Sequence, residues 1–248
     1  MQSINKENIL WKNKKIFNSI TPFTLLDFHS YPSAILWFSG CDMRCSFCYN
    51  KEIVENKGIY SFNQLEEFLI TRKSLLKGIV LCGGEPTIHP EILDIVKTLK
   101  QLNYKIKLDT NGLHPLIVKE LINQNLVDFI ALDFKAPKIK FTQVTKAPIT
   151  SYNQFLKTLE ILIKSNIDFE IRTTFHNLLL NVHDIYEICN ILEQYNYSKT
   201  YYIQNFMNYT QTIGNITNKN RTNLSKIIDD SSYNFKIQFR NFDLNQGN

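Results

Sequence analysis

Apolar runs and amphipathic segments alternate along this chain six times, and that alternation limits the fold more than any other feature. Ala34–Ser39, Gly78–Cys82, Tyr104–Asp109, Val127–Asp133, Phe169–Thr174 and Thr200–Phe206 read as buried parallel strands. Between them Phe62–Leu76, Glu91–Leu102, Pro115–Asn123, Asn153–Lys164 and Val182–Gln194 carry apolar residues at helical spacing. In the first of these Leu65, Phe68, Leu69 and Leu75 share one side. Ser61, Pro90 and Pro115 mark helix starts, where proline suits the first turn. Serial β-α units require right-handed crossovers between parallel strands. The expected class is α/β, a partial (β/α)6 barrel, because a closed barrel takes about eight units. The competing reading is an open doubly wound sheet. With no internal repeat or low-complexity linker, the expected organisation is an N-terminal extension (1–33), the partial barrel (34–206) and a C-terminal tail (207–248). A helix over Asn223–Asp230 and a last strand over Phe235–Arg240 are expected in that tail.

A chain of 248 residues buries enough apolar surface to fold without disulfide staples. Its 44% hydrophobic and 21% charged residues exclude a disordered polyelectrolyte. The net charge of +5 is modest, and the basic run Lys12 to Lys15 reads as a solvated surface, so no nucleic-acid partner is expected. A basic face that docks an acidic protein remains open. No apolar run reaches the ~18 residues that cross a bilayer. The polar start lacks the apolar centre of a signal peptide, so the chain is expected to be cytoplasmic, without membrane contact and with reduced thiols. In that setting the Asn-x-Ser/Thr triplets at Asn208 and Asn215 are chance matches.

Special residues gather just after the expected strands. Cys41–Cys48 follows the first and Gly83-Gly84-Glu85-Pro86 the second. Asp109-Thr110-Asn111-Gly112 ends the third, and Asp133 and Lys135 the fourth. Arg172 lies late in the fifth, and Gln204-Asn205 ends the sixth. In parallel α/β architectures the site lies at these carboxyl ends. The loop GCDMRCSFCYN spaces three cysteines C-x3-C-x2-C within eight residues. Three thiolates around a [4Fe–4S] cube, which ordinarily takes four, leave one iron open, as a catalytic site requires. Phe47 and Tyr49 are placed to shield it. A Cys45–Cys48 disulfide conflicts with a reducing compartment. A zinc knuckle lacks a patterned fourth ligand, His29, His89 and Asp42 being unpatterned alternatives. A cluster of merely packed cysteines is the third bland reading. Cys82 and Cys189 read as packed residues, not ligands.

The loop, with an aromatic before its third cysteine, resembles the signature of the radical S-adenosylmethionine (SAM) superfamily. Over about residues 20–206 the stretches GCDMRCSFCYN, GGEPTIHPEI, KLDTNG, ALDFKAP and EIRTTF resemble the activating enzymes of glycyl-radical proteins, those of anaerobic ribonucleotide reductase and pyruvate formate-lyase above all. The resemblance implies a cluster on Cys41, Cys45 and Cys48 whose open iron chelates S-adenosylmethionine. It also implies cleavage of that cofactor to a 5′-deoxyadenosyl radical. Cofactor contacts are implied for Gly83, Gly84, Glu85, Asp109, Asp133, Lys135 and Arg172, and a monovalent cation on Asp109, Thr110 and Asp133. No catalytic residue beyond these is implied. The partner would be a glycyl-radical enzyme, with flavodoxin or ferredoxin as electron donor. Each segment also has a plainer reading: Asn111-Gly112 is a standard turn, Asp133 and Lys135 a surface ion pair, Arg172 an outward strand residue. Two positions depart from the family pattern: Tyr49 stands where many relatives have His, and Met207 where Arg is frequent. The second reading is a small-molecule radical enzyme of the 7-carboxy-7-deazaguanine synthase type. The third is an iron–sulfur electron carrier or zinc-bound interaction module.

Overall fold

The computed structural model describes residues 10–208, 210–217, 224, 228 and 232–242. All six expected strands are present: β2 (Ser33–Phe38), β4 (Gly78–Gly83), β5 (Lys105–Thr110), β6 (Phe129–Asp133), β7 (Asp168–Phe175) and β8 (Thr200–Asn205). Three more join them: β1 (Lys15–Thr24), β3 (Tyr60–Ser61) and β9 (Lys236–Arg240). The hydrogen-bonded order is β3-β1-β2-β4-β5-β6-β7-β8-β9, so the sheet has two free edges and does not close. A sheet that does not close is what the expected partial barrel requires.

Contacts gather into two units. Among the described residues the first comprises 10–42, 52–110 and 116–130, the second 43–51, 111–115 and those from 131 onward. In the first, β2, β4 and β5 run parallel, whereas β1 is antiparallel to both β2 and β3. The residues expected as an N-terminal extension thus supply a strand of the sheet. Their alternation is weak, because β1 lies half-exposed at its centre. What holds it is aromatic: Phe17 is fully buried, with its ring centroid 4.7 Å from Phe38 and 6.4 Å from Phe62. In the second unit β7, β8 and β9 run parallel. Phe134 packs on Phe155 at 4.5 Å and Phe141 meets Tyr152 edge-on at 5.3 Å.

Seven α-helices connect the strands among the described residues: α1 (Lys51–Glu55), α2 (Phe62–Thr71), α3 (Ile92–Gln101), α4 (Pro115–Asn123), α5 (Lys138–Thr145), α6 (Ser151–Lys164) and α7 (Val182–Gln194). Ser61 opens α2 through a capping box with Gln64, and Asn181 opens α7 through one with Asp184. Helix α2 stops at Thr71, short of the expected Leu76, and Leu75 is exposed rather than on the core side. Helix α5 was not expected, because KIKFTQVT shows no helical stripe. Pro137 precedes its first turn, and burial of Phe141, Val144 and Thr145 overrides the weak propensity of its β-branched residues. Cys189 is buried in α7, and Cys82 in β4 packs beside Phe28, Ile35 and Val80, both as expected. The expected last strand is β9, whereas the expected helix over Asn223–Asp230 falls almost wholly outside the described residues. Among the described residues no helix is long and apolar enough to cross a membrane.

Phe17→Ala should cost about 3–5 kcal/mol, the usual loss for a buried aromatic, read as a lower urea midpoint of the cluster-free chain. A loss under ~1 kcal/mol would mean that β1 is not held by its aromatic contacts.

Candidate functional site

In the first unit, the loops that follow β2 and β4 are joined through their backbones. The Gly84 amide donates to the Phe38 carbonyl at 2.8 Å, and the Glu85 amide donates to the Gly40 carbonyl at 2.9 Å. A Cβ at residue 84 would lie 1.7 Å from the Gly40 oxygen, so no side chain fits there. Gly83 takes φ +120°, in the region that favours glycine, and presses on the Phe38 backbone. The glycines permit a close approach, and the surface approached is the backbone that leads into Cys41. Gly40 is anchored from behind as well, its amide donating to the Ile53 carbonyl at 2.8 Å.

Glu85 is 1% exposed. Its Oε1 accepts from the Thr87 amide at 3.1 Å, the Thr87 hydroxyl at 2.6 Å and the Thr110 hydroxyl at 2.8 Å. The acid therefore ties the end of β4 to the end of β5. Asp109 lies 3.1 Å from the Lys107 ammonium. His89 uses Nε2 against the Ser39 carbonyl at 2.9 Å, and burial lowers its pKa despite that contact.

The second unit carries Cys45 and Cys48. Cys45 is buried, and desolvation pushes its thiol up to about 12, opposed mainly by the positive charge of Lys135. Burial raises the Cys48 thiol too. Metal ligation needs thiolates, so metal binding here must displace protons that burial retains. Lys135 opposes the effect of that burial: its positive charge acts on Cys45, and its ammonium lies 5.6 Å from the centroid of Phe47, between the two cysteines in sequence. Among the described residues no three His, Cys, Asp or Glu side chains meet at a point that would hold one metal ion. A four-iron cube distributes its thiolates over separate irons, so three thiols suited to it need not converge on one ion.

Asp133, Lys135 and Arg172 come together as one group. Lys135 Nζ reaches Asp133 Oδ2 at 2.9 Å, and Arg172 Nε reaches Asp133 Oδ1 at 2.9 Å. Burial alone would raise the Asp133 pKa, but Arg172 and Lys135 outweigh it and hold the carboxyl at about 2. Both carboxylate oxygens are thus engaged by cations of the chain. Sequence reading did not include the continuation of this ladder. Arg172 lies 3.8 Å from Glu170, and Glu170 pairs with Arg240 at 2.9 Å. The Arg240 guanidinium stands 3.6 Å from the centroid of Tyr202. The i, i+2 placement of Glu170 and Arg172 on one strand face was legible in EIRTTF. Arg240 was not, because its place follows from the parallel register of β9 on β8, Gln204 opposite Arg240. Asn111 and Gly112 form a turn: the Leu113 amide donates to Asn111 Oδ1 at 2.9 Å, and Gly112 takes φ +76°.

The two departures from the family pattern touch each other. The Tyr49 ring stacks on Phe206 with centroids 4.9 Å apart, and its hydroxyl accepts from the Met207 amide at 2.7 Å.

Asp133 has a folded pKa of about 2, below an unfolded value of about 3.9, so its ion pairs stabilise fully above pH ~4 and are lost as pH falls toward 2. Asp133→Asn should cost about 2 kcal/mol near pH 6, and the gap to the wild type in urea unfolding should narrow steadily below pH ~4. A gap that stays constant with pH would refute this assignment.

The family profile of the radical SAM superfamily matches residues 35–192. A Methanocaldococcus jannaschii protein provisionally named a glycyl-radical enzyme activating enzyme is 30% identical over 189 residues, 73% of this chain and 76% of that protein. The 7-carboxy-7-deazaguanine synthase of Clostridium acetobutylicum is 26% identical over 171 residues, 67% of this chain and 68% of that protein. Among solved structures, Streptococcus suis SuiB bound to S-adenosylmethionine superposes with a TM-score of 0.63 at 15% identity, over 83% of this chain and 51% of SuiB. This chain therefore spans about half the length of SuiB. QueE from Escherichia coli superposes with a TM-score of 0.58 at 14% identity, over 95% of this chain and 99% of QueE. These superpositions bear on the fold; the sequence match settles the family, and the chain belongs to the radical SAM superfamily.

Proposed function

We propose that this chain is a glycyl-radical-enzyme activase. Family membership implies a [4Fe–4S] cluster and S-adenosylmethionine. We assign the cluster to Cys41, Cys45 and Cys48, and S-adenosylmethionine to Gly83, Gly84, Glu85, Asp109, Asp133, Lys135 and Arg172. The observation that carries the cluster assignment is a buried thiol, Cys45, and a half-buried one, Cys48, both within the electrostatic reach of the Lys135 ammonium. That donor set suits an iron–sulfur cube, since a nearby cation eases thiolate formation in a dry site. Glycines at 83 and 84 leave the end of β4 without side-chain bulk, and the cations Lys135 and Arg172 suit a carboxylate. The same proposal places a monovalent cation on Asp109, Thr110 and Asp133, whose oxygens suit a hard ion.

When bound, the cluster and S-adenosylmethionine would supply one-electron reductive cleavage of that cofactor and abstraction of a hydrogen atom from a glycine Cα. The substrate would be a partner protein, anaerobic ribonucleoside-triphosphate reductase first among candidates. Reduced flavodoxin or ferredoxin would supply the electron in the cytoplasm. Support comes from the 30% identity to a relative bearing the activase name across 76% of its length. The small-molecule alternative rests on relatives named 7-carboxy-7-deazaguanine synthase, one of them 27% identical over 74% of its length.

Anaerobic reconstitution with iron and sulfide, then dithionite and S-adenosylmethionine, should yield 5′-deoxyadenosine. Cys45→Ala should lower that yield at least about a hundredfold, the scale for losing a group on which the whole step depends. Adding the reductase should produce a glycyl doublet in electron spin resonance. Nucleoside release without the doublet, accompanied by turnover of a pterin substrate, would replace the activase by the second reading.

A further inference from the structure

The second half of the cysteine loop is irregular chain, and irregular chain that is buried must find partners for its amides and carbonyls elsewhere. One set comes from the end of α5: the Arg44 amide donates to the Thr145 carbonyl at 2.8 Å, and the Ser46 amide donates to the Val144 carbonyl at 3.1 Å. The other set comes from the tail beyond β8. The Gly214 amide donates to the Ser46 carbonyl at 2.9 Å, and the Ile213 amide donates to the Cys48 carbonyl at 3.0 Å. Ser46 lies between Cys45 and Cys48 and is held at both its amide and its carbonyl.

The fit at Gly214 leaves no room. A Cβ there would come within 2.7 Å of Ser46 Cβ, 2.8 Å of Ser46 O and 2.9 Å of Ser46 Cα. Two of these are backbone atoms, so even alanine must displace the cysteine loop or the tail. The tail is shaped for this contact. Thr212 is fully buried, its hydroxyl accepts from the Ile216 amide at 3.0 Å, and its carbonyl accepts from the Asn215 amide at 3.1 Å. Asn215 takes φ +51°, a conformation that asparagine tolerates better than most residues, and closes the turn. Upstream, Tyr49 fastens the exit of the cysteine loop to Phe206 and Met207.

We propose that residues 210–216 form a strap that sets the position of Cys45 and Cys48, with Gly214 as its positioning residue. The proposal rests on the assignment of those cysteines as cluster ligands but acts on the polypeptide, so it has a readout in the cluster-free chain. The strap meets the loop through the backbone amides of Ile213 and Gly214, so it acts on the main chain that carries the two sulfur atoms. The tail thereby acquires a role that its own sequence, poor in apolar periodicity, does not suggest.

The test is Gly214→Ala in the full chain. In the cluster-free protein, alkylation of Cys45 and Cys48, read by mass spectrometry, should speed up roughly thirtyfold, the factor expected from two lost backbone hydrogen bonds of ordinary net strength. Cys189, buried in α7, should stay protected at its wild-type rate. In the reconstituted protein, iron should pass to a chelator roughly thirtyfold faster by the same reasoning, and the resonance of the reduced cluster should shift. Unchanged labelling of Cys45 and Cys48 with Cys189 protected would overturn the strap. Faster labelling with unchanged iron release and resonance would instead count against Cys45 and Cys48 as ligands and leave the strap standing. Should Cys189 also become reactive, the variant has unfolded, and hydrogen exchange on the wild type decides. Peptides covering 210–216 and 43–48 should be protected together, whereas exchange of 210–216 at the rate of an exposed loop would overturn the proposal.

Discussion

Backbone hydrogen bonding of loop to loop at the carboxyl ends of the strands is the interaction on which the rest of this structure depends. The cysteine segment has no ladder of its own, so its amides and carbonyls are met by whatever chain passes within reach. The Glu85 amide meets Gly40, the end of α5 meets Arg44 and Ser46, and the tail meets Ser46 and Cys48. At two of these meetings the approach is so close that only glycine fits, Gly84 against Gly40 and Gly214 against Ser46. The segment that carries Cys45 and Cys48 is thus positioned by main chain.

Electrostatics supplies the second layer. A ladder of alternating charge runs Arg240, Glu170, Arg172, Asp133, Lys135, each member close to the next. Its last cation faces the Cys45 thiol, whose burial otherwise favours the protonated form. Buried ion pairs of this kind add little net stability against an apolar alternative, since desolvation offsets the attraction. Glu85, implied as a cofactor contact by the sequence, binds the ends of β4 and β5 together through Thr87 and Thr110.

How much could be read from the chain in advance follows the range of the forces concerned. The strand–helix alternation was legible because burial imposes periods of two and about 3.6 residues on contiguous sequence. The cysteine spacing, the Gly83-Gly84-Glu85 turn and the Asp133-Lys135 pair were legible because the chemistry they share is local. Strand β1 was not, since its core contacts are aromatic and made across the sheet. Helix α5 was not, since its burial and not its pattern makes it helical.

The sequence by itself determined the parallel α/β class, the family, and the residue types gathered after each strand, because these are encoded within windows of a few residues. Only the tertiary structure decided that Gly84 serves Gly40, that Arg240 ends a charge ladder begun at Lys135, and that Gly214 lies on Ser46. Those contacts join segments tens to well over a hundred residues apart, and close approach of two backbones leaves no mark in either segment except the absence of a side chain.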